Sequence, residues 1–418
     1  MKRNDLLHSI AFAAIAVALS CLPTQADDFE RQRQQVLDLG KLTGQPKTHV
    51  YDEVLAQQGD GNLRAIYFDG LPWKGTPTRV FAWLGMPASK SGEALAGSGE
   101  RVPGVVLVHG GGGSAFKEWV QKWNSHGFAA ISIAVEGQTD QRSPGGKGWQ
   151  RHEWGGPQRD GIYGDSSNPL EDQWMFHAVA DTILANSLLR SLPNVDADNV
   201  GLAGISWGGV ITSTVIGIDS RFRFAIPTYG CGHLFDAENQ YGRALGHNEL
   251  YKQVWDPFVR MGRVRMPVQW LSWPGDKHFP LDCQAKCYHA AKGLHLLTLI
   301  PGMRHGHGAG WNPPDSYAFA RSVVDEGQPW CRQLSASSAS NNVSVVFESS
   351  KTIDYATLVW TSDSGITGER KWNLSPATFA ASNDDWKLSA TLPNDATAWF
   401  LNAHSGKLIA SSDYSERP

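Results

Sequence analysis

Gly204-Ile205-Ser206-Trp207-Gly208 is the stretch whose residue types and spacing point most directly to covalent chemistry. A serine on a sharp strand-to-helix turn presents its Oγ clear of the sheet, and side chains two residues to either side would collide, so glycine is needed there. The flanks fit, since residues 200–203 read as a buried strand and residues 210–218 as a helix. A serine hydroxyl is a weak nucleophile at neutral pH and needs a base, which in turn needs an orienting carboxylate. Both types follow downstream. Asp276 ends Trp273-Pro274-Gly275-Asp276, just after a predicted strand at 267–270, and His305 lies in Gly302-Met303-Arg304-His305-Gly306-His307, just after a predicted strand at 294–300. The order is nucleophile, acid, base, each beyond the carboxyl end of a strand. Asp282 is the rival acid, but Pro280-Leu281-Asp282 reads as a helix start, where an aspartate complements the dipole. His307 is the rival base, and His305 is preferred as the first histidine after the turn, followed by glycine. His278 and His289 read as packing or surface residues.

An attacked carbonyl needs donors for its developing oxyanion. The N–H of Trp207 is one candidate, and Gly111 and Gly112 in His109-Gly110-Gly111-Gly112-Gly113 supply the second. A phosphate loop would require G-K-[ST] after these glycines, whereas Ser114-Ala115-Phe116-Lys117 follows. Residues 138–169 lack periodicity, are too long for a plain connector, and carry Trp149, Trp154 and Tyr163, which suggests a packed wall near the site. His109, Trp154 and Trp273 are the candidate substrate contacts.

The elements that must position these groups follow from the apolar pattern. Alternation in 64–68 and 78–84 predicts two antiparallel strands. Continuous apolar runs at 104–108, 129–135, 200–203, 222–227, 267–270 and 294–300 alternate with helical stretches at 116–124, 171–192, 210–218 and 316–325. That is the pattern of a mostly parallel sheet covered on both faces, an α/β fold. Composition shifts after Gly327-Gln328-Pro329. Residues 343–418 then read as short strands with turn residues between them, a small all-β, sandwich-like domain. The expected organisation is a leader at 1–26, an arm at 27–60 with one short helix, a catalytic domain at 61–330, a linker at 331–342 and a β-rich domain at 343–418.

Met1-Lys2-Arg3, an apolar core at 10–19 and Thr24-Gln25-Ala26 form a secretory signal peptide, so a periplasmic or extracellular location is expected. Ala18 stands three residues before Cys21 where a lipoprotein signal usually carries leucine, which disfavours a lipid anchor there. The core is too short for a membrane span. A net charge of −4 offers no basic field for nucleic acid. Export would permit disulfides among Cys231, Cys283, Cys287 and Cys331 in any of three pairings, while no second thiolate pair completes a zinc site. Neither a metal nor another cofactor is expected, and the oligomeric state stays open. Seventeen tryptophans suit either a rigid core or stacking on sugar rings.

The glycine run at 109–113, Gly204 to Gly209, Asp276 and Gly302 to His307 together resemble secreted α/β-hydrolases of the acetyl xylan esterase and dienelactone hydrolase type, related to prolyl oligopeptidase catalytic domains. The resemblance spans roughly residues 60–328. It implies cofactor-free hydrolysis of carboxylic esters through an acyl-enzyme, with Ser206 as nucleophile, His305 as base and Asp276 as its orienter. A small ester or an acylated carbohydrate such as acetylated xylan is the expected substrate. A serine peptidase or amidase using the same residues is the alternative, weakened by the absence of a long amino-terminal propeller. A third reading is an inactive carbohydrate-binding protein. The C-terminal β-rich segment departs from compact esterases of this type.

Overall fold

The computed structural model describes residues 25–51, 62–88, 100–382 and 385–417. Apart from Gln25 and Ala26, the predicted leader, with Cys21, lies outside them. Helix α1 (Gln25–Asp38) is mostly polar, buries Val36 and packs Phe29 against the core. The arm then enters the fold through β1 (Thr48–Val50), which pairs antiparallel with β2 (Leu63–Asp69), itself antiparallel to β3 (Arg79–Gly85). The apolar runs that follow become β4 (Val102–Val108) and β5 (Ala129–Ile133), joined by helix α2 (Lys117–Ser125). Part of the long 138–169 segment folds as a hairpin of β6 (Gln138–Arg142) and β7 (Trp149–Arg151). Helix α3 (Trp174–Arg190) is apolar nearly all round and correspondingly buried on every face.

Strand β8 (Val195–Ile205) leads through Ser206 into helix α4 (Trp207–Val215), and β9 (Ala225–Thr228) follows. The region before β10 (Val268–Ser272) holds two short helices, α5 (Gln240–Leu245) and α6 (Phe258–Met261), separated by a π-helical turn at Tyr251–Trp255. Helix α7 (Leu281–Ala290) connects β10 to β11 (His295–Leu299), and α8 (His307–Trp311) and α9 (Asp315–Glu326) complete this part of the chain. The strands lie side by side in the order β1-β2-β3-β5-β4-β8-β9-β10-β11, parallel from β5 onward. Because β4 pairs with β5 on one side and β8 on the other, the order reverses there. The crevice of such a sheet opens at that reversal, beyond the carboxyl ends of β4 and β8.

The carboxyl-terminal strands are β12 (Cys331–Ala339), β13 (Asn342–Ser349), β14 (Tyr355–Thr361), β15 (Asn373–Ser382), β16 (Asp385–Thr391), β17 (Ala398–Ser405), β18 (Leu408–Ser411) and β19 (Ser415–Glu416). They pair antiparallel in the order β12-β13-β16-β15-β14-β17, with β18 and β19 both on β17. The stretch expected as a linker is therefore mostly strand. Its serines are exposed and add little to a core, and the backbone ladder to β13 orders it. Strand β18 also pairs antiparallel with β11, so the β-rich domain and the parallel sheet share one hydrogen-bonded edge. The disulfides allowed by the sequence are not formed: Cys231, Cys283, Cys287 and Cys331 are buried free thiols. Cys287 Sγ accepts the Gly232 N–H, and the Cys283 thiol faces the His233 carbonyl.

Candidate active site

Ser206 is the residue between β8 and α4, with φ 59° and ψ −117°. A non-glycine residue holds such a backbone only where its surroundings over-determine it. Here the Ser206 N–H donates to the Thr228 carbonyl at the end of β9. The two motif glycines are both required by space: a Cβ on Gly204 would lie 2.1 Å from Gly208 O, and one on Gly208 would lie 2.0 Å from Val108 O. The turn is thus pressed against the end of β4.

His305 follows β11 and Asp276 follows β10. His305 Nε2 is 2.9 Å from Ser206 Oγ, and His305 Nδ1 is 2.8 Å from Asp276 Oδ2. Asp276 is 1% exposed, and its other oxygen accepts the N–H groups of His278 and Phe279 at 2.8 and 3.0 Å. The carboxylate is therefore fixed by its own turn and holds the imidazole with one nitrogen toward the serine. Tyr229, at the end of β9, packs its ring 4.6 Å from His305 and donates its hydroxyl to the Arg304 carbonyl at 2.8 Å. Phe279 stacks at 5.9 Å, and His278 sits 4.8 Å away.

The glycine run lies directly over the serine, with a Cβ on Gly110 falling 2.9 Å from Ser206 Cβ. The Gly110 N–H donates to His307 Nε2 at 2.9 Å, and the Gly113 N–H donates to Gly110 O at 3.0 Å. The N–H groups of Gly111 and Gly112 donate to no described residue, and the Trp207 N–H, at the first turn of α4, has no intrahelical acceptor. Free backbone donors on two sides of Ser206 are the arrangement a tetrahedral oxyanion requires. His307, the rival base, serves that loop instead. Burial lowers its pKa, so its Nε2 remains an acceptor at neutral pH.

His109 is corrected: it is 1% exposed and accepts from the Val135 N–H on Nε2, while Nδ1 bonds Gly110 O. Burial lowers its pKa to about 3, so it is a neutral brace beneath the loop and has no face for substrate. Trp154 is corrected too, since its ring partners are Tyr67, His152 and Arg79 at the antiparallel end of the sheet. Trp273 folds over Gly275, where a Cβ would lie 2.4 Å from its ring, and its carbonyl accepts the Asp276 N–H. It shapes the turn that carries the acid. From the long segment, Trp149 donates its indole N–H to Gly112 O at 2.9 Å, and Tyr163 packs 5.7 Å from the Trp207 ring. Arg159, with its guanidinium 5.0 Å from the same ring, has no signal in the sequence beyond its place in that segment.

The acetyl xylan esterase family model matches residues 51–241, which include the serine turn and the glycine run. Among solved structures, acetyl xylan esterase 1 from Thermoanaerobacterium sp. JW/SL YS485 aligns at 18% identity with a TM-score of 0.51, covering 67% of this chain and 89% of that one. An acetyl xylan esterase from Paenibacillus sp. R4 aligns at 19% identity and a TM-score of 0.49, over 67% of this chain and 90% of that one. A Mycobacterium tuberculosis puromycin-hydrolyzing peptidase aligns at 19% identity and a TM-score of 0.46, over 63% and 39%. No curated protein matches the chain by sequence.

Proposed function

We propose that this α/β-hydrolase is a serine carboxylic ester hydrolase of the acetyl xylan esterase type that acts through an acyl-enzyme and removes small acyl groups from carbohydrate. The observation that carries this reading is the unbroken hydrogen-bond chain Ser206–His305–Asp276 beside unused N–H groups of Trp207, Gly111 and Gly112. In the proposed mechanism Ser206 Oγ attacks the ester carbonyl while His305 Nε2 takes its proton. The oxygen that becomes negative is received by the Trp207 and Gly111 N–H groups, each such donor being worth about 3 kcal/mol in the transition state. Asp276 keeps Nδ1 protonated and stabilises the imidazolium. Return of the proton to the alkoxide releases the alcohol. Water, activated by the same imidazole, then hydrolyses the acyl-enzyme.

An acetyl donor and a carbohydrate alcohol are supported by the family match, and export by the charged and apolar pattern of residues 1–26. The mature protein is expected to release acetate from acetylated xylan and 4-nitrophenyl acetate and to be labelled by a fluorophosphonate. Ser206→Ala is expected to lose labelling and at least ~10³-fold in kcat. Full turnover by that variant would refute the mechanism. Amino-terminal sequencing of the exported protein tests the leader.

A further inference from the structure

The floor beside the serine is aromatic. Trp207 packs against Tyr241 at 5.8 Å, Tyr241 against Phe279 at 5.2 Å, and Phe279 stacks on His305. Arg159 brings a cation to the rim of this floor. Its Nη1 donates to Gly161 O at 2.6 Å, and its Nε faces Glu136 Oε1 at 3.5 Å without a hydrogen bond, so the protein engages Nη1 and sets an anion beside Nε. The remaining nitrogen, Nη2, is turned toward the oxyanion loop, where a Cβ on Gly111 would lie 3.2 Å from Nη2 and 3.0 Å from Trp207 Cδ1. Nη2 has no hydrogen-bond partner among the described residues, and the side chain is 22% exposed. A Cβ on Gly110, the neighbour of Gly111, would fall 2.9 Å from Ser206 Cβ, which places this loop beside the serine. Nη2 carries two N–H groups on an always charged guanidinium, and such a nitrogen donates a charge-assisted hydrogen bond to a carboxylate oxygen. An acetyl methyl offers it nothing to bind.

Building on the ester-hydrolase reading, the geometry points to Arg159 as a carboxylate subsite, so that the preferred substrates are esters bearing an acid group a few bonds from the scissile carbonyl. Uronic-acid-containing saccharides and half-esters of dicarboxylic acids belong to this class. The guanidinium takes no part in bond making; it binds the anion and sets the carbonyl over Ser206.

Two matched pairs test this on the full-length protein. The anion sits on the alcohol in 4-acetoxybenzoate, with 4-acetoxybenzamide as its neutral partner. It sits on the acyl group in monomethyl glutarate, with methyl 4-carbamoylbutanoate as its neutral partner. In at least one pair kcat/KM is expected to favour the acid by about tenfold or more. Arg159→Gln should bring that ratio toward one, and Arg159→Lys should keep part of it. Equal handling of acid and amide in both pairs, or a ratio unchanged by Arg159→Gln, overturns the subsite and leaves Arg159 as a tie between Glu136 and Gly161. Protection of Ser206 from fluorophosphonate by 4-hydroxybenzoate but not 4-hydroxybenzamide provides a readout that needs no turnover. Protection without hydrolysis of any ester would sink the esterase reading and retain the subsite, whereas hydrolysis without preference or protection would do the reverse.

Discussion

His307 separates two roles that neighbouring histidines in one loop could exchange. His305 reaches Ser206, while His307 accepts the Gly110 N–H and so sets the plane of the next peptide, which carries the free Gly111 donor. Truncating His307 leaves a part-buried N–H without its acceptor, a cost of about 1–3 kcal/mol that the loop can avoid only by turning. His307→Ala is expected to lower kcat roughly tenfold or more with little change in KM, and His307→Gln, which offers an amide oxygen, to recover part of it. Steady-state kinetics on 4-nitrophenyl acetate decide this, and a wild-type kcat in the alanine variant would remove His307 from the loop's support. At this scale the sequence was legible wherever a residue type has few uses. Ser206, Asp276 and His305 were read from spacing and chain order and lie in one hydrogen-bonded chain. His109, Trp154 and Arg159 were not, because burial and side-chain direction decide their roles and neither is written in a local motif.

The short 3₁₀ turn Thr367–Glu369, between β14 and β15, reaches from the β-rich domain to the acid turn. A Cβ on Gly368 would fall 2.1 Å from the Asp276 carbonyl oxygen and 2.6 Å from Lys277 N, and Thr367 Oγ1 accepts the Leu281 N–H at 2.9 Å. Glycine is required here by the closeness of the two backbones. Gly368→Ala is expected to push the Asp276 peptide aside and reduce kcat by roughly 10- to 100-fold, the scale of an ångström-level misplacement. The pH–rate profile should shift as well, because the Asp276–His305 bond changes. Glu369→Ala, which removes only the exposed pair with Lys277, serves as the control and is expected to match wild type. Equal rates in both variants would mean that the turn does not position the acid. The elements of the parallel sheet were legible because strands buried on both faces read as continuous apolar runs. The stretch from β9 to β10 was not, since its short helices and π turn hold together through contacts such as Trp255 Nε1 to Gln173 Oε1, far away in the chain. Likewise β12 was hidden by its serines, for a backbone ladder leaves no compositional trace.

Across the whole molecule, stability and pH are linked through Asp181, buried in α3 with one carboxylate oxygen unpartnered. Desolvation pushes its pKa up to about 8 from 3.8. Between those values the folded chain binds the extra proton, so this group costs stability progressively as pH rises from about 4 to about 8. Asp181→Asn is expected to melt like wild type near pH 4 and to be more stable by a few kcal/mol near pH 8. Parallel curves of Tm against pH would refute the linkage. The seam between the domains carries a different consequence. Strand β18 lies on β11, the Leu299 N–H donates to Ser411 Oγ at 2.8 Å, and Asn402 donates to the Leu299 carbonyl at 3.1 Å. Without this cover, β11 would present Leu296, Leu297 and Leu299 with an open row of amides and carbonyls, the kind of edge on which sheets of separate molecules join. The β-rich domain thus also acts as a guard against self-association. Lesions that loosen β18 from β11 should therefore show first as aggregation, before any loss of chemistry at Ser206.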